Sequence, residues 1–433
     1  MSSPLYSLAV SAAYMAAFPW LARRYAEGLD ERRGYYRGEK KKNFPDRPLW
    51  IHAVSVGEVQ TATPLLAALA DRGHPPEDVL LSTTTPTGRE MAGRVAEGLY
   101  GEHIYYPWDI PWIVARALQT LRPRAFVVLE TEVWPNMLFS LARRKIPAFL
   151  VNARFSDKTA ANIHRFSSFW RDVYDQFTLL LVRSESDREV MLRLGLEEKK
   201  VSVVGDCKVD ALLLRRKGTD LTRARELAGG KHPLFLAGST HEGEDEIVLD
   251  AFRRVRPSFP SARLILVPRH PERAEKVRKL AAPFGRTALL SEGGREWDIL
   301  VVDRIGVLFD LYGAADSAFI GGSLVDRGGQ NIMEPAAFGI PLSHGPHMRD
   351  FTQAARELGE RGAAFPVKNS EELADFWRNS LNPGVRHKAS AGAEAYFQAY
   401  GGAADASLAA MAPFIPGLGA GEGTDEKERG KEK

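Results

Sequence analysis

A carboxylate that could take part in proton transfer stands in the segment His52-Ala53-Val54-Ser55-Val56-Gly57-Glu58, directly after a predicted strand. Gly57 allows the backbone to turn sharply, so that Glu58 would begin a helix and face the end of that strand. There it could accept a proton from a substrate hydroxyl, or it could simply cap the helix, because the helix dipole stabilises a negative charge. We expect the same dipole to lower the pKa of Glu58 and keep it ionised.

Three further segments of the first half place charged groups after predicted strands. Glu130-Thr131-Glu132-Val133-Trp134-Pro135-Asn136 offers two carboxylates, although its Trp-Pro pair could equally begin a helix that the glutamates cap. In Asn152-Ala153-Arg154, the positive charge of Arg154 could meet an anionic substrate. Lys208 stands in a loop, Gly205–Asp210, where a lone lysine is usually solvated.

The second half contains segments that suit an anion. Gly238–Glu244 joins a predicted strand to a helix, and backbone N–H groups at a helix start bind phosphate. Arg269 would place a guanidinium at another strand end. Two glycine-rich turns, Gly321–Leu324 and Gly328–Asn331, suit a phosphate, with a helix expected to begin near Gly329 and a ribose held by Glu334.

Several common cofactor signatures are missing from the sequence. The glycine and lysine spacing of a Walker loop is absent, and no G-x-G-x-x-G follows a strand, so dinucleotide redox chemistry is weakly supported. No D-x-D motif offers a metal to a diphosphate donor. Arg269, Lys208 and helix N-termini could neutralise a leaving phosphate instead.

The elements that must position these groups are strands alternating with helices, which predicts parallel sheets covered on both faces. Ligands of such sheets bind beyond the carboxyl ends of the strands, where these motifs lie. The predicted strands are Leu49–Ala53, Val79–Ser82, Ala125–Leu129, Ala148–Val151, Leu179–Val182, Val201–Val204, Leu234–Ala237, Leu264–Val267, Ile299–Val302 and Ala318–Ile320. The predicted helices include Glu58–Arg72, Trp134–Arg143, Glu244–Val255, Glu272–Ala282, Val307–Ala314 and a last stretch near Val385–Ala412, and Thr87 with Glu90 forms a plausible capping box after Val79–Ser82.

The pattern divides the chain into two α/β domains, at 43–210 and 233–384. The polar, weakly periodic residues 211–232 are interpreted as the connection between them. A C-terminal helix at 385–416 and a glycine-rich, charged tail at 417–433, expected to be disordered, follow the second domain.

Composition fits a globular protein of two domains. The 433 residues are 44% hydrophobic and 26% charged, and the net charge of +3 gives no reason to expect a nucleic-acid partner. The single cysteine, Cys207, excludes an internal disulfide and fits a reducing compartment, and it gives no zinc signal.

The N-terminal residues 1–42 depart from this average. No charged side chain occurs from Met1 to Leu21, and eight basic and four acidic residues follow between 22 and 42. A helix that spans a membrane needs about 20 apolar residues, and positive charge after such a run favours a cytoplasmic position for the rest of the chain. We expect a membrane anchor or an interfacial helix; the alternative is a buried N-terminal helix.

Taken together, the motifs resemble those of the 3-deoxy-D-manno-octulosonic acid (Kdo) transferases of lipopolysaccharide biosynthesis in Gram-negative bacteria. The resemblance covers about Trp50 to Phe351. It is carried by His52–Glu58, Thr83–Gly88, Glu130–Asn136, Asn152–Arg154, Lys208–Asp210, Ser239–Glu244, Pro268–Arg273, Gly321–Val325, Gly328–Glu334 and Gly345-Pro346-His347.

This resemblance implies a GT-B fold: two Rossmann-like domains with a cleft between them, the acceptor side at 43–210 and the CMP-binding side at 233–384, besides the N-terminal apolar helix. It implies a glycosyltransferase that moves Kdo from CMP-Kdo to a lipid A precursor, lipid IVA, at the cytoplasmic side of the inner membrane. Neither a cofactor nor a metal is expected.

The resemblance also implies residue roles. Glu58 matches the general base of an inverting transfer, and Glu130 and Lys208 match groups that stabilise the transition state. The positions that match CMP-binding residues are Pro268, Arg269, Ile305, Gly306, Val307, Asn331, Ile332, Met333 and Glu334. Val307 stands where the family often has an acidic residue, so only backbone contacts are implied there. Arg154 is the predicted partner of the Kdo carboxylate.

Two other functions share parts of this pattern. A nucleotide-sugar epimerase would have the same two domains but would need neither the anchor nor a base facing a lipid. A non-enzymatic membrane protein that senses a nucleotide would tolerate the loss of Glu58.

Overall fold

The computed structural model describes residues 3–38, 42–230, 232–294 and 296–418. The chain divides into two compact units. The N-terminal unit consists of Met1–Ala211 and Gly401–Lys433, and the C-terminal unit consists of Leu212–Tyr400. Each unit is built on a seven-stranded sheet in which every strand pair is parallel, so the two predicted α/β halves are confirmed.

The sheet of the N-terminal unit has the strand order β3-β2-β1-β4-β5-β6-β7. Its strands are β1 Leu49–His52, β2 Val79–Thr83, β3 Glu102–Tyr105, β4 Ala125–Leu129, β5 Ala148–Ala153, β6 Leu179–Val182 and β7 Val201–Val203. Its helices are α1 Ser3–Arg24, α2 Leu29–Arg32, α3 Val56–Asp71, α4 Pro86–Val95, α5 Pro111–Leu121, α6 Pro135–Arg143, α7 Asp157–Arg165, α8 Ser167–Tyr174, α9 Glu185–Arg193 and, reaching across the unit boundary, α10 Cys207–Lys217.

The sheet of the C-terminal unit has the order β10-β11-β9-β8-β12-β13-β14. Its strands are β8 Leu234–Thr240, β9 Arg263–Pro268, β10 Thr287–Leu289, β11 Ile299–Val301, β12 Ser317–Ile320, β13 Leu342–His344 and β14 Ala364–Pro366. Its helices are α11 Leu221–Leu227, α12 Asp245–Val255, α13 Ala274–Ala281, α14 Leu308–Tyr312, α15 Met333–Ala336, α16 Thr352–Glu360, α17 Ser370–Ser380 and α18 Pro383–Tyr400, after which α19 Ala403–Met411 returns to the N-terminal unit.

Alternation along the strands gives the N-terminal sheet an apolar core on each face. Trp50, Phe126 and Leu150 belong to one buried cluster, and their neighbours Ile51 and Val127 belong to the other. Strands covered on both faces read as continuous apolar runs, which is why all ten predicted strands are present. The four strands that the prediction missed are short, and they carry polar, half-exposed or proline residues, as in Glu102–Tyr105 and Ala364–Pro366.

Residues 211–232, interpreted as the connection between the two domains, begin where the two compact units divide, and they contain most of α10 and all of α11. Two other local expectations are corrected. The expected C-terminal helix at 385–416 is two helices, which Gly402 separates with a φ of 82°. The expected tail at 417–433 lies outside the described residues from 419 onward, and Leu418 is buried in the core of the N-terminal unit.

Helix α1 packs one face against the N-terminal unit. The hydroxyl of Tyr6 donates a hydrogen bond to Asp109 at 3.1 Å, Ser7 donates to Asn136 at 2.5 Å, and the Tyr14 ring lies 5.5 Å from that of Trp108. By length and composition alone, Pro4–Arg24 could also cross a membrane. Of the basic residues predicted to follow it, Lys40 and Lys41 lie outside the described residues.

Candidate active site

Glu58 lies in the first turn of α3, after Ser55 at the N-cap position. One carboxylate oxygen accepts a hydrogen bond from the backbone N–H of Val54 at 2.7 Å, which joins the first turn of α3 to the segment before its N-cap. Burial raises the pKa of Glu58 to about 8, with Glu132 and Glu130 adding to the rise and Lys208 opposing it. The expectation of a lowered pKa is therefore wrong: desolvation and like charges outweigh the helix dipole.

Glu130 follows β4 and is buried, with its backbone in the left-handed region at a φ of 58°. Its carboxylate lies 2.7 Å from the ammonium of Lys208 and 3.8 Å from the guanidinium of Arg154. The hydroxyl of Thr61, one turn after Glu58 on α3, donates to the same carboxylate at 3.3 Å. A non-glycine residue held in this backbone conformation is strained, and such strain clusters at functional sites.

Asn152 fixes the start of the helix that carries Lys208. The side-chain oxygen of Asn152, at the end of β5, accepts the backbone N–H of Cys207 at 2.9 Å, and Cys207 itself is fully buried. Lys208 is thereby the second residue of α10 and reaches Glu130, although it is far from Glu130 in sequence. The amide nitrogen of Asn152 is buried without a hydrogen-bond partner among the described residues. The prediction of Asn152 and Lys208 as separate motifs missed this link.

The rest of Glu130–Asn136 is mainly structural. Asp109, which the sequence reasoning missed, caps α6: its carboxylate accepts the backbone N–H groups of Asn136 and Met137 at 3.0 and 2.8 Å. The capping role proposed for the glutamates therefore belongs to Asp109. Glu132 remains half-buried beside the site, where burial and the charge of Glu130 raise its pKa.

Two neighbouring details also differ from expectation. Thr85 caps α4 by accepting the N–H of Gly88 at 3.0 Å, so the box predicted for Thr87 and Glu90 is not formed. His52 is fully buried, hydrogen-bonded to Ser82 and stacked on Tyr106. Burial lowers the pKa of His52 to about 3, so it is a neutral core residue.

In the C-terminal unit, Glu244 occupies the turn that was predicted to bind phosphate. Its fully buried carboxylate accepts the N–H groups of Gly322, Ser323 and Leu324 at 2.6, 2.9 and 2.9 Å, and that of His241 at 2.9 Å. The donors of Gly321–Leu324 are thus already used by the protein. The prediction of a phosphate in that turn is wrong.

Arg269 and Glu334 meet at the carboxyl edge of the same sheet. Arg269 is exposed directly after β9, where its backbone N–H donates to Thr240 at 2.9 Å. Burial raises the pKa of Glu334, while Arg215, a hydrogen bond from Asn331 and Arg269 lower it. The structure therefore brings Arg269, Asn331 and Glu334 together.

The other predicted CMP positions flank this group. Pro268 ends β9 and is buried, and Ile305 is 86% exposed. Gly306 has a φ of 95°, and Val307 is the N-cap residue of α14. The helix expected near Gly329 begins at Met333, after the buried Ile332, and is one turn long. Asn331 accepts the N–H of Met333 at 3.1 Å and so acts as its cap.

Comparison with known proteins places these residues in a family context. Residues 27–211 match the family model described as "3-Deoxy-D-manno-octulosonic-acid transferase (kdotransferase)". The chain is 33% identical over 359 residues to the 3-deoxy-D-manno-octulosonic acid transferase of Haemophilus influenzae, a match that covers 81% of this chain and 82% of the relative.

Solved structures with low sequence identity share the fold. A glycosyltransferase from Rickettsia africae aligns with a TM-score of 0.52 at 14% identity, over 86% of this chain and 99% of that one. The UDP-GlcNAc 2-epimerase from Neisseria meningitidis aligns with a TM-score of 0.52 at 15% identity, over 81% of this chain and 98% of that one. The GT-B fold is thereby confirmed, but it does not separate transferases from epimerases. The sequence identity to the Haemophilus influenzae transferase separates the two classes, and the chain belongs to the Kdo transferase family of glycosyltransferases.

Proposed function

We propose that this protein transfers Kdo from CMP-Kdo to the lipid A precursor lipid IVA, with inversion at the anomeric carbon and with Glu58 as general base. The observation that carries the proposal is the pairing of a half-buried Glu58, whose pKa is about 8, with the ion-paired Glu130 beside it. A carboxyl group with that pKa is matched to proton transfer near neutral pH.

The reaction would proceed in one displacement. Glu58 takes the proton from a sugar hydroxyl of the acceptor as its oxygen forms a bond to the anomeric carbon of Kdo. The bond from that carbon to the phosphate oxygen breaks, and CMP leaves with the electron pair.

Glu130 and Lys208 would stabilise the transition state as a pair. Lys208 supplies a positive charge near two anionic groups, the ionised base and the carboxylate of the sugar. Glu130 positions the ammonium group of Lys208 by pairing with it, and Glu130 is itself tied to α3 by the hydrogen bond from Thr61. The side chain of Arg154 is about half exposed beside Glu130, and we propose that its guanidinium binds the carboxylate of Kdo.

The donor would bind at the carboxyl edge of the C-terminal sheet. The guanidinium of Arg269 suits the CMP phosphate, and Glu334 suits a ribose hydroxyl. The exposed Ile305 offers an apolar surface to the cytosine ring. Gly306 and Val307 would make backbone contacts with CMP, and Pro268 and Asn331–Met333 would form the rest of the binding surface. CMP-Kdo has one phosphate, so we propose that the guanidinium of Arg269 suffices to neutralise its charge and that no metal or other cofactor takes part.

We further propose that α1 attaches the protein to the cytoplasmic face of the inner membrane by lying in the interface. The face of α1 opposite Tyr6, Ser7 and Tyr14 exposes Leu8 and Met15, each to 68%, with no charged residue before Arg23. Such an apolar face, followed by basic residues, suits the boundary of an anionic membrane. A helix packed on its own protein along one side has only its other side left for lipid.

An exposed charge on α1 tests this attachment. We expect Leu8→Glu to reduce co-sedimentation with anionic phospholipid vesicles, because a carboxylate would enter the apolar layer. Gln398→Glu, which adds the same charge to the exposed part of α18, should leave vesicle binding unchanged. Equal binding by all three proteins would contradict the proposal.

The transferase proposal is tested by the product. Purified protein, CMP-Kdo and lipid IVA should give a lipid heavier by whole Kdo units, together with free CMP, and NMR should show an inverted anomeric centre. The mass also gives the number of units added. Retention of configuration would exclude the single displacement, and an isomerised sugar nucleotide without lipid product would favour the epimerase alternative.

A further inference from the structure

A cavity of about 600 Å³ lies within the C-terminal unit, at the edge of the sheet opposite to Arg269 and Glu334. Its wall includes Asp316, directly before β12, and Ile340, shortly before β13. In a parallel sheet the amino ends of the strands share one edge, so this cavity is separate from the proposed donor site at the carboxyl ends.

The acidic group of the cavity is already neutralised. The buried carboxylate of Asp316 lies 3.0 Å from the guanidinium of Arg386 and 2.6 Å from the ring nitrogen Nδ1 of His232, and it accepts the backbone N–H of Leu234 at 2.9 Å. Both carboxylate oxygens therefore have partners within the protein. Asp316 fixes Arg386 in the wall and leaves no negative charge for a cationic ligand.

Two further guanidinium groups in the wall have no such partner. Arg216, on α10, and Arg225, on α11, are exposed and line the cavity. Neither side chain makes a hydrogen bond or an ion pair with any residue in the described ranges. With Arg386 offset by Asp316, the wall carries two uncompensated positive charges.

The remaining wall is apolar. Leu221, Phe338 and Ile340 line the cavity together with the backbone of Gly313. Gly313 allows this close packing, since a Cβ there would come within 2.6 Å of Leu221 and 2.9 Å of Phe338. The cavity thus combines guanidinium groups with apolar side chains, as sites for small organic molecules do.

We propose that this cavity binds an organic phosphate: a phosphomonoester dianion held by Arg216 and Arg225, with an apolar or aromatic body against Leu221 and Phe338. A guanidinium binds phosphate through paired N–H donors, and two such groups match the charge of a dianion. This site goes beyond the proposed transfer reaction and does not depend on it.

Phenyl phosphate is a suitable probe. In calorimetric titrations of the full chain, we expect it to bind more tightly than inorganic phosphate or phenol, because only phenyl phosphate uses both parts of the wall. We expect Arg216→Gln or Arg225→Gln to weaken its binding by about tenfold and the double variant by about a hundredfold, as each loses a charge-assisted contact. Both side chains are exposed, so folding should be unaffected.

Two control variants locate the binding. Arg223→Gln removes an exposed arginine from α11 outside the cavity and should change nothing. Arg269→Gln, which removes the guanidinium proposed to bind the CMP phosphate, should keep the part of the binding that is lost in the double variant. Loss of binding in Arg269→Gln but not in the double variant would assign it to the carboxyl edge and overturn the proposal, as would equal losses in Arg223→Gln and the cavity variants.

A second arm distinguishes a free phosphate from a lipid headgroup, which share this chemistry. The double variant and the wild type are compared for co-sedimentation with phosphatidylcholine vesicles, with and without phosphatidic acid. A loss of the phosphatidic-acid-dependent part in the double variant identifies a headgroup as the source. Unchanged vesicle binding with weakened phenyl phosphate binding identifies a free organic phosphate.

Discussion

Glu58 and Glu244 occupy comparable places in the two units, at the start of the helix that follows the first strand of each, and they do opposite things. Glu244 is fully buried and its two oxygens accept four backbone N–H groups. Glu58 is half-buried, accepts one N–H group within the described structure, and has a pKa raised to about 8. One carboxylate is used up in building a loop, and the other is left available for chemistry.

The surroundings of the two residues extend this contrast. Around Glu58 are two more glutamates, which add to the rise in its pKa that burial causes, and Lys208, which opposes that rise. Around Glu244 the groups proposed to contact the donor, such as Arg269 and Ile305, are exposed and lie on other loops. The N-terminal unit therefore concentrates charge around the proposed base, whereas the C-terminal unit exposes the groups proposed to bind the donor.

The largest expected effect is the loss of the base. Glu58→Gln should lower kcat for Kdo transfer by about 10²–10⁴, the range for losing general base catalysis, while CMP affinity stays unchanged. The glutamine oxygen can still accept the Val54 N–H, so this hydrogen bond is kept. Steady-state kinetics and CMP titration measure the two quantities.

A matched control supports this test. Glu90→Gln removes an exposed carboxylate from α4 and should leave kcat unaltered. If Glu58→Gln kept near-normal kcat, the assignment of the base would be wrong and the role of Glu58 would be structural, through its hydrogen bond with Val54.

The reverse outcome is expected for Glu244. Glu244→Gln replaces one acceptor oxygen by an N–H₂ group that faces backbone N–H donors, so it should destabilise the C-terminal unit by about 2 kcal/mol or more. Faster hydrogen exchange of the Gly322–Leu324 amides, measured by mass spectrometry, would localise the change. At saturating substrates kcat should fall far less than in Glu58→Gln; an equal fall would erase the distinction between the two residues.

Lys208 connects the charge network to the pH dependence. Lys208→Met should lower kcat by about 10², as expected when one transition-state charge is removed. It should also raise the pKa of Glu58, since Lys208 lowers it. Lys217→Met, at the exposed end of the same helix, is the control. If kcat falls but the pH profile does not shift toward higher pH, Lys208 acts only by holding Glu130.

The positions of these groups along the chain could be predicted, because strands buried on both faces are continuous apolar runs and functional groups follow their carboxyl ends. Glu58, Glu130 and Arg269 all follow strands in the structure. Their partners could not be predicted, since the contacts Thr61–Glu130 and Asn152–Cys207 join residues 69 and 55 positions apart.

The electrostatic errors have the same origin. The helix dipole at Glu58 is a local property and can be inferred from sequence, but the burial and the neighbouring glutamates that outweigh it arise from the sheet topology. Likewise, the glycine-rich turn Gly321–Leu324 reads as a phosphate loop until Glu244, about 80 residues earlier, is seen to fill it.

The smallest effect expected is a shift in the pH profile. As the proposed base, Glu58 must be ionised, so kcat/KM should rise with slope one below pH 8 and level off above it, where the carboxyl group has lost its proton. Glu132→Gln removes one of the charges that raise this pKa, so the rising limb should move to lower pH, while Glu90→Gln should not move it.

The raised pKa of Glu58 also makes the stability of the folded protein depend on pH. A raised pKa in the folded protein favours folding below the ordinary pKa of glutamate, and this contribution is lost as pH rises toward 8. The wild type should therefore lose stability relative to Glu58→Gln between about pH 5 and pH 8, and parallel urea titrations of both proteins would show it. In the kinetic test, a rising limb that stays in place in Glu132→Gln would mean that the charge of Glu132 adds nothing to the pKa of the base.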